Sequence, residues 1–294
     1  RLRGTKVVVI AAEYQSTASK GDEVVIVRPA TTPALALGMA GVIMREKLYN
    51  EEHVKGKTDL PLLVRTDTWK LLRASDIIKG YKLAELKNNI VVTDPKDFPP
   101  PPKQGPMYVP TQLREEWGDF MMWDTQKGKP VVVTRDQVGK EFDKTGINKP
   151  ALEGEYEVTL VDGKVIKVTP VFALIQKYIN ESLDVDTVSE ITWAPKEAIF
   201  SLAREIAANP RSVLLCTGMG PNHWFNSDLK DRAVFLLAAL TANIGYAGGN
   251  VGSYAGNYRG ALFNALPQWV KENPFDIELD PKKPAKIKSY WKAE

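Results

Sequence analysis

Two short apolar runs near the start of the 294-residue chain are continuous, with no polar alternation. They are KVVVIAAE (residues 6–13) and EVVIVRP (residues 23–29), and both are too short for a helix. Such runs are typical of strands in a parallel sheet that is covered on both faces. After the second run, Thr32 can cap a helix, Pro33 suits its first position, and apolar residues continue through Leu48. This pattern predicts an α/β unit with ligand-binding potential at the strand ends.

The same pattern returns in the last third of the chain. The stretch APKEAIFSLAREIAANP (residues 194–210) predicts a helix with Ile199, Leu202, Ala203 and Ile206 on one face. SVLLCT (residues 212–217) predicts a buried strand in which Cys216 is an apolar filler, and DLKDRAVFLLAALTAN predicts the next helix. The expected fold class is therefore α/β, built from Rossmann-like parallel-sheet segments.

The middle of the chain has a different pattern. FPPPPKQGP lies within residues 95–110, where proline excludes a helix or a central strand and predicts an extended connector. YEVTLVDGKVIKVT alternates about Asp162–Gly163, which predicts a two-residue hairpin, and MMWDTQKGKPVVVT allows a second one. We therefore divide the chain into an α/β segment (1–94), a connector with a β-hairpin-containing insertion (95–190) and a second α/β segment (191–294).

Composition narrows the classes of function. The net charge of +3, from 39 basic and 36 acidic residues, is too small to indicate nucleic-acid binding. A single cysteine excludes a disulfide framework, a cysteine-rich zinc site and a self-contained iron–sulfur cluster. Of the two histidines, His53 falls on a predicted charged surface helix, where we expect no function. The chain starts almost directly on a strand, and we expect it to be an internal piece of a longer polypeptide.

The stretch LLCTGMGPNHWF carries the strongest sign of ligand binding. Gly218 and Gly220 let the backbone bend and approach a ligand closely, while Asn222 and His223 supply polar groups before a helix that begins near Asp228. A strand, a Gly-x-Gly turn and a helix start are how α/β proteins hold phosphates, ribose and flat heterocycles. The third glycine of G-x-G-x-x-G and the P-loop lysine are both missing. A simple tight turn with His223 on the surface is the alternative.

Three other turns are candidates with equally plain alternatives. Glu13 and Tyr14 follow the first strand, where a carboxylate can accept hydrogen bonds from ribose or a purine, or can simply be exposed. Thr31 and Thr32 precede a helix, and capping alone would explain them. A late glycine cluster can wrap a cofactor or only form loops, and its density favours the cofactor; it comprises Gly245, Gly248, Gly249 and Gly252.

Several longer stretches resemble a known family. AAEYQSTAS, DEVVIVRPATTPALALG, GMGPNHWFNSDLKDRA and ANIGYAGGNVGSYAGNYRGALFN are similar to the catalytic alpha subunits of molybdopterin oxidoreductases, the dimethyl sulfoxide reductase superfamily. TDLPLLVR and YAGNYR resemble the branch with respiratory nitrate, selenate, chlorate and perchlorate reductases. Within that branch, WGDFMMWDT, ENPFDIELDP and GGNVGSYAGNYRGALFNALPQW are most similar to nitrite oxidoreductase alpha subunits.

The resemblance implies a bis-molybdopterin guanine dinucleotide cofactor with molybdenum, and it assigns roles by motif. The residues that would line one nucleotide, in the segment 1–94, are Glu13, Tyr14, Thr31 and Thr32. Those that would contact pterin or pyrophosphate, in the segment 191–294, are Gly218, Gly220, Asn222 and His223. Ala30 and Thr32 replace the glycine and aspartate of the family's Gly-Thr-Asp turn, so its carboxylate contact is not carried over.

The resemblance also implies a function for the whole enzyme. It would interconvert nitrite and nitrate and pass electrons to iron–sulfur clusters, with an iron–sulfur beta subunit and a haem or membrane-anchoring gamma subunit as partners. The molybdenum ligand and a [4Fe-4S] cluster would lie upstream of Arg1, so no catalytic or metal-ligating residue is expected in this chain. We expect the enzyme at the membrane through its partners, on the periplasmic side. The alternatives are a respiratory nitrate reductase or a selenate or chlorate reductase, and a non-catalytic structural domain of the same fold.

Overall fold

The computed structural model describes residues 4–85, 91–92, 109–218, 220–224 and 227–253. The two predicted strands near the start are present as β1 (Val8–Ala11) and β2 (Glu23–Ile26). They pair in parallel with Val8 opposite Glu23, and the Val27 N–H extends the ladder by donating to the Ala11 carbonyl (2.9 Å). The predicted parallel arrangement is therefore confirmed for these strands.

Helix α1 (Thr32–Arg45) begins where the sequence predicts, although Thr32 is not its cap. Thr31 occupies the cap position, and its hydroxyl donates to the Arg28 carbonyl (2.7 Å) and not to a helix N–H group. The helix ends before Leu48 because Lys47 takes a positive φ of 55°. A short helix, α2 (Glu51–Lys57), follows at once.

The middle of the chain contains the predicted antiparallel hairpins, together with one short parallel pair of strands. Strand β3 (Leu63–Arg65) and helix α3 (Ala74–Ile77) come first. The short parallel strands β4 (Val91–Val92) and β5 (Val109–Pro110) follow, and then helix α4 (Thr111–Trp117). Strands β6 (Phe120–Asp124) and β7 (Lys129–Val133) form the first hairpin. The second hairpin, β8 (Tyr156–Thr159) and β9 (Val165–Pro170), joins β3 in a three-stranded sheet of order β3-β9-β8. Residues 93–108, most of the predicted proline-rich connector, lie outside the described residues.

The hairpin of β8 and β9 has a three-residue loop, whereas the sequence predicts a two-residue loop. The Leu160 N–H donates to the Lys164 carbonyl (2.8 Å), which leaves Val161, Asp162 and Gly163 in the loop. Gly163 has a φ of +88°, the left-handed conformation that closes a three-residue loop with a bulge. The position of the hairpin is confirmed, and its loop length is wrong by one residue.

Helices fill the rest of the described chain. Two helices that the sequence analysis assigned to the β-rich insertion are α5 (Val171–Ser182) and α6 (Val185–Thr192). Then come α7 (Lys196–Ala208), β10 (Leu214–Thr217), α8 (Ser227–Leu240) and β11 (Asn250–Ser253). Helix α7 buries Ile199, Leu202 and Ala203, as predicted, while Ile206, near its end, is only partly buried against the same core. Strand β10 pairs in parallel with β11.

Helix α1 is the centre of the main hydrophobic core and contacts α5, α6, α7 and α8. Two glycines allow this close packing. A Cβ on Gly38 would lie 2.7 Å from a Val188 methyl group of α6, and one on Gly41 would lie 2.5 Å from an Ile179 methyl group of α5. Helices can approach this closely only where the side chain at the contact is missing, so these glycines have a packing role.

Helices α1 and α8 run in parallel. Ala36, near the start of α1, clusters with Ala233 and Val234, and the N–H of Asn50, beyond the end of α1, donates to the carbonyl of Leu240, the last residue of α8 (2.7 Å). Each helix follows a strand of a parallel pair, β2 or β10. The turns that precede the two helices therefore lie at one end of the molecule. We call this the strand-exit end; its described turns are residues 12–17, 27–31, and 218 with 220–224.

A buried ion pair ties together the two flanks of the proline-rich stretch. The Asp119 carboxylate accepts hydrogen bonds from Arg114 Nη2 (2.7 Å), the Tyr81 hydroxyl (2.7 Å) and the Ala84 N–H (2.9 Å). Arg114 Nη2 also donates to the Ala84 carbonyl (2.9 Å). Burial and the bond to the Asp119 carboxylate raise the pKa of Tyr81, so its hydroxyl stays a donor.

Another buried carboxylate fixes the chain after β6. Asp124 is fully buried and accepts hydrogen bonds from the N–H groups of Gln126, Lys127, Asn148 and Lys149. Burial alone would raise the pKa of Asp124, but these backbone donors outweigh it and the pKa is lowered. Asp124 therefore serves a structural role as the acceptor for two turns.

Candidate cofactor-binding site

The turns after β1 and β2 lie side by side at the strand-exit end. Because β1 and β2 are parallel, Glu13 and Tyr14 share an edge of the sheet with Thr31 and Thr32. Glu13 is exposed and Tyr14 is 67% exposed, while both threonines are half-buried. The structure thus brings the four predicted nucleotide-lining residues to one edge, and their contact with a nucleotide stays a prediction.

Gly218 and Gly220 form the corner after β10, and neither is required by the described fold. A Cβ added to either glycine would meet nothing within 4 Å, and neither has a positive φ. Glycine without a conformational or packing reason is what a closely approaching ligand requires. The two glycines therefore mark an open backbone surface at the strand-exit end.

The rest of this corner is a short 3-10 turn, Gly220–His223, which leads to α8 at Ser227. His223 and Trp224 are exposed, and Asn222 has a described backbone position without a described side chain. Behind the corner, the buried Lys230 forms an ion pair with Asp231 (3.0 Å), and the Thr217 hydroxyl donates to Asp231 as well (3.4 Å). The corner thus exposes the Trp224 ring, and the charges of Lys230 and Asp231 near it are paired with each other.

The late glycine cluster is structural at its centre. A Cβ on Gly249 would lie 2.8 Å from Asn243 Oδ1 and 3.0 Å from the Arg211 carbonyl carbon, and Gly248 has a φ of +98°. Gly252 makes only ordinary contacts with β10. For Gly248 and Gly249, the structure supports loop formation, the less favoured of the two sequence alternatives. These glycines pack on the residues before β10, at the end of the strand away from Gly218.

Cys216 is exposed, which contradicts its assignment to a buried strand. Among the described residues, β10 pairs only with β11, and Leu214 is 57% exposed. The hydrophobic run predicts the strand correctly, but it does not show which face the neighbouring elements cover.

His53 is buried, whereas the sequence predicts a surface position. Only 5% of the residue is exposed, and its Nδ1 has no hydrogen-bond partner. Its ring lies 6.0 Å from that of Tyr246, which also faces Lys57 (4.8 Å) and Arg211 (4.5 Å). Burial, and then the charges of Lys57 and Arg211, lower the pKa of His53. This cluster lies beyond the ends of α1 and α8, away from the strand-exit end.

Trp193, which no sequence motif indicated, belongs to the strand-exit end. It ends α6 with a φ of 64° and is 63% exposed. Its ring lies 5.6 Å from the Arg28 guanidinium, and the Arg28 N–H donates to the Thr192 carbonyl (2.7 Å). The available signal was a tryptophan directly after a helix, at a position that usually holds glycine.

The strand-exit end thus gathers three linked turns, at Glu13, Arg28 and Trp193, and the Gly218 corner lies at the same end. An open cleft elsewhere lies at the far end of α1, among the residues Arg45, Asn180, Asp184, Val185, Asp186 and Phe200. Within the described ranges, no group of three histidine, cysteine or acidic side chains is arranged to hold a metal ion. Nor does any described helix have the length and apolarity to cross a membrane.

Parallel strands with turns at their exits are the arrangement in which α/β proteins commonly bind cofactors. Comparison with known proteins gives the family. The molybdopterin oxidoreductase family matches residues 1–291, and the chain belongs to this family. The α/β fold class expected from the sequence is confirmed.

The relatives include alpha subunits of oxyanion reductases. The chain is 36% identical to the perchlorate reductase alpha subunit of Dechloromonas aromatica over 269 residues, 90% of this chain and 27% of that protein. It is 34% identical to the respiratory nitrate reductase alpha subunit of Haloferax mediterranei over 253 residues, 86% of this chain and 23% of that protein. The nitrate reductase alpha chain of Bacillus subtilis is 27% identical over 300 residues, an alignment that covers 87% of this chain and 24% of that protein. The chain thus spans about a quarter of the length of these relatives.

The family implies a molybdopterin cofactor, and the residues at the strand-exit end fit such a group. Gly218 and Gly220 leave room for a ligand beside the backbone. The exposed rings of Tyr14, Trp193 and Trp224 offer flat surfaces for pterin or purine. This fit concerns the organic and phosphate parts of the cofactor.

Proposed function

We propose that this chain is part of the catalytic alpha subunit of a molybdenum enzyme that interconverts nitrite and nitrate. The observation that carries the cofactor-binding part of the proposal is the pair Gly218 and Gly220, for which the described fold gives no other reason. Membership of the molybdopterin oxidoreductase family supports it. The reaction is an oxygen-atom transfer: water supplies the oxygen when nitrite is oxidised, and two electrons and two protons leave.

The chain's own residues would bind and orient the cofactor, a bis-molybdopterin guanine dinucleotide, which supplies the redox chemistry when bound. Glu13, Tyr14, Thr31 and Thr32 would line one nucleotide, with the carboxylate accepting from hydroxyl or amine groups. Gly218, Gly220, Asn222 and His223 would contact pterin or pyrophosphate, with backbone N–H groups as donors to phosphate oxygens. Such fixed contacts set the position of the reacting centre, the usual role of protein around a cofactor.

The same proposal assigns the enzyme its partners. Electrons would leave through a [4Fe-4S] cluster of this subunit, outside the present chain, and then through an iron–sulfur beta subunit. A haem or membrane-anchoring gamma subunit would hold the complex at the membrane, on its periplasmic side. The alpha-subunit names of the relatives support an assembly of several subunits.

A reductase is the second candidate function. The relatives at 36% and 34% identity are perchlorate and nitrate reductases, so their names favour reduction of an oxyanion. Nitrite oxidation rests on the sequence motifs alone. Both candidates use the same cofactor and differ in the direction of electron flow.

Elemental analysis separates an enzyme from a structural domain of the same fold. We expect the purified full-length subunit to contain molybdenum, and phosphorus above the amount in a cofactor-free control protein. Background levels of both elements, in a host that loads other molybdenum enzymes, would support the non-catalytic alternative.

Two assays on the intact complex separate the candidate reactions. One measures nitrite-dependent reduction of an electron acceptor, and the other measures nitrate- or perchlorate-dependent oxidation of a reduced dye. We expect activity with nitrite and nitrate. Activity with perchlorate alone would replace the nitrogen oxides by a chlorine oxyanion, and inactivity with all of them would remove the oxyanion proposal.

A pair of glycine variants tests the site. Gly220→Val puts bulk where we propose that the cofactor contacts the backbone, so the molybdenum content should fall at least tenfold. Gly56→Val, in α2, is the control, because a Cβ there makes only an ordinary 3.8 Å contact with Phe142. Equal molybdenum contents in the two variants would show that the corner is only a turn.

A further inference from the structure

Trp193 is held rigidly in a conformation that suits glycine. Its φ of 64° lies in the left-handed region, where an L side chain is disfavoured. Hydrogen bonds lock the turn nonetheless: Trp193 N–H to the Ser189 carbonyl (2.8 Å), the Thr192 hydroxyl to the Val188 carbonyl (2.7 Å), and the Ser189 hydroxyl to the Ala194 carbonyl (2.7 Å). Thr192 and Ala194 on either side are fully buried. Two buried neighbours therefore fix the backbone at Trp193, and with it the direction in which the side chain leaves the backbone.

The indole also belongs to the turns of the predicted nucleotide site. The Arg28 N–H donates to the Thr192 carbonyl, and the Arg28 guanidinium lies 5.6 Å from the centroid of the indole. The Arg28 carbonyl accepts a hydrogen bond from the Thr31 hydroxyl (2.7 Å), and the N–H of Val27, the residue just after β2, donates to the Ala11 carbonyl. A chain of direct contacts thus joins Trp193 to the turns that carry Thr31 and Glu13.

We propose that Trp193 is the aromatic wall of the nucleotide site and stacks on the purine base of the bound dinucleotide. The inference rests on the proposed function and adds to it Trp193, which lies outside the family motifs, and a role for Arg28, which lies within one of them. A flat ring on a firmly held backbone offers a surface on which a base can stack. Arg28 supports the indole through a cation–π contact, and its remaining donors are available to a phosphate oxygen.

Trp69 provides a matched control. It too has a positive φ, 57°, and is 71% exposed, in the turn after β3. Its contacts are with the antiparallel sheet, since its N–H donates to the Arg65 carbonyl (2.9 Å). Trp69→Gly and Trp193→Gly therefore remove the same side chain from the same backbone conformation, and only one of them touches the strand-exit end.

The experiment uses the intact alpha subunit in its purified complex. Cofactor retention is followed as acid-released purine nucleotide and molybdenum per folded subunit during dialysis at elevated temperature, with circular dichroism as the measure of folding. We expect Trp193→Gly to lose nucleotide about tenfold faster than the wild type, within the range for loss of one base–aromatic stack. Trp193→Phe should stay within about threefold of the wild type because it keeps a stacking ring, and Trp69→Gly should match the wild type.

Three outcomes overturn the inference. Retention in Trp193→Gly equal to the wild type would show that another part of the protein covers the indole, and an equal loss in Trp69→Gly would show a general effect of removing tryptophan. If Trp193→Gly fails to fold, Arg28→Gln gives the test, and unchanged nucleotide loss there refutes the proposal. A wild type without nucleotide or molybdenum instead refutes the proposed function itself, so the two failures are distinguishable.

Discussion

Two glycine-to-alanine variants separate glycines that the fold requires from glycines that we assign to a ligand. A Cβ on Gly249 would lie 2.8 Å from Asn243 Oδ1 and 3.0 Å from the Arg211 carbonyl carbon, both below normal contact distance. Asn243 is fully buried and accepts the Val213 N–H (3.0 Å), so it has little room to move. Forcing bulk into such a packed position costs about 1–3 kcal/mol. A Cβ on Gly218, in contrast, meets nothing within 4 Å.

Local opening of β10 and β11 is the sensitive measure, because a large multidomain protein does not unfold in one step. In the cofactor-free subunit, Gly249→Ala should speed amide hydrogen exchange in residues 213–217 and 250–253 about 5- to 150-fold, which corresponds to that energy. Gly218→Ala should leave exchange unchanged or slow it slightly, because alanine restricts the unfolded chain.

The comparison between the variants decides whether the reasoning holds. If Gly218→Ala speeds exchange as much as Gly249→Ala, then the fold itself requires glycine at the corner. The argument for close approach of a ligand would then be lost. If Gly218→Ala leaves exchange unchanged and lowers molybdenum content in the loaded enzyme, the glycine is present for the cofactor.

Three further predictions concern stability and are measured by thermal denaturation or hydrogen exchange. Asp124→Asn should lower the free energy of unfolding by about 2–3 kcal/mol, because an amide cannot accept hydrogen bonds from all the backbone donors. As the control, Asp162→Asn at an exposed position should change it by less than about 0.5 kcal/mol. Burial lowers the pKa of His53 in the folded protein. The stability that depends on its neutral ring is therefore fully present above the unfolded pKa of about 6.5 and is lost as pH falls through the pKa of the folded state. Acidification from pH 7.5 to 5 should therefore destabilise the wild type more than His53→Leu, and equal losses would refute this. Ala30 has a φ of 67°, so Ala30→Gly should stabilise by about 0.5–1 kcal/mol, whereas Ala198→Gly in α7 should destabilise by about 1 kcal/mol.

Local patterns predict the elements well because they depend on neighbours in the chain. The continuous runs at β1, β2 and β10 and the alternation at β8 and β9 are each found where expected. Helices α5 and α6 were not predicted, because the segment 95–190 was judged by its prolines and hairpins. Burial is less predictable, since it depends on distant elements. His53 is buried although its helix is charged, and Cys216 is exposed although its strand is apolar.

The candidate site shows the same division. Glu13, Thr31 and Gly218 could be found from the sequence because each follows a strand. Trp193 follows a helix, and its contacts with Arg28, through the Thr192 carbonyl and through the indole, bring it to the turns after β1 and β2. The roles of Gly218 and Gly249 were not separable in the sequence, since a packing glycine and a ligand-facing glycine differ only in their surroundings.

The clamp of Arg114, Asp119 and Ala84 has a practical consequence for probing this protein. These hydrogen bonds hold the residues on both sides of 85–113 at one buried site. The two sides can therefore keep their positions when the length of chain between them changes. Doubling the length of a closed loop costs only about 0.6 kcal/mol. The proline-rich stretch is therefore a suitable place to insert an affinity tag or a spectroscopic label.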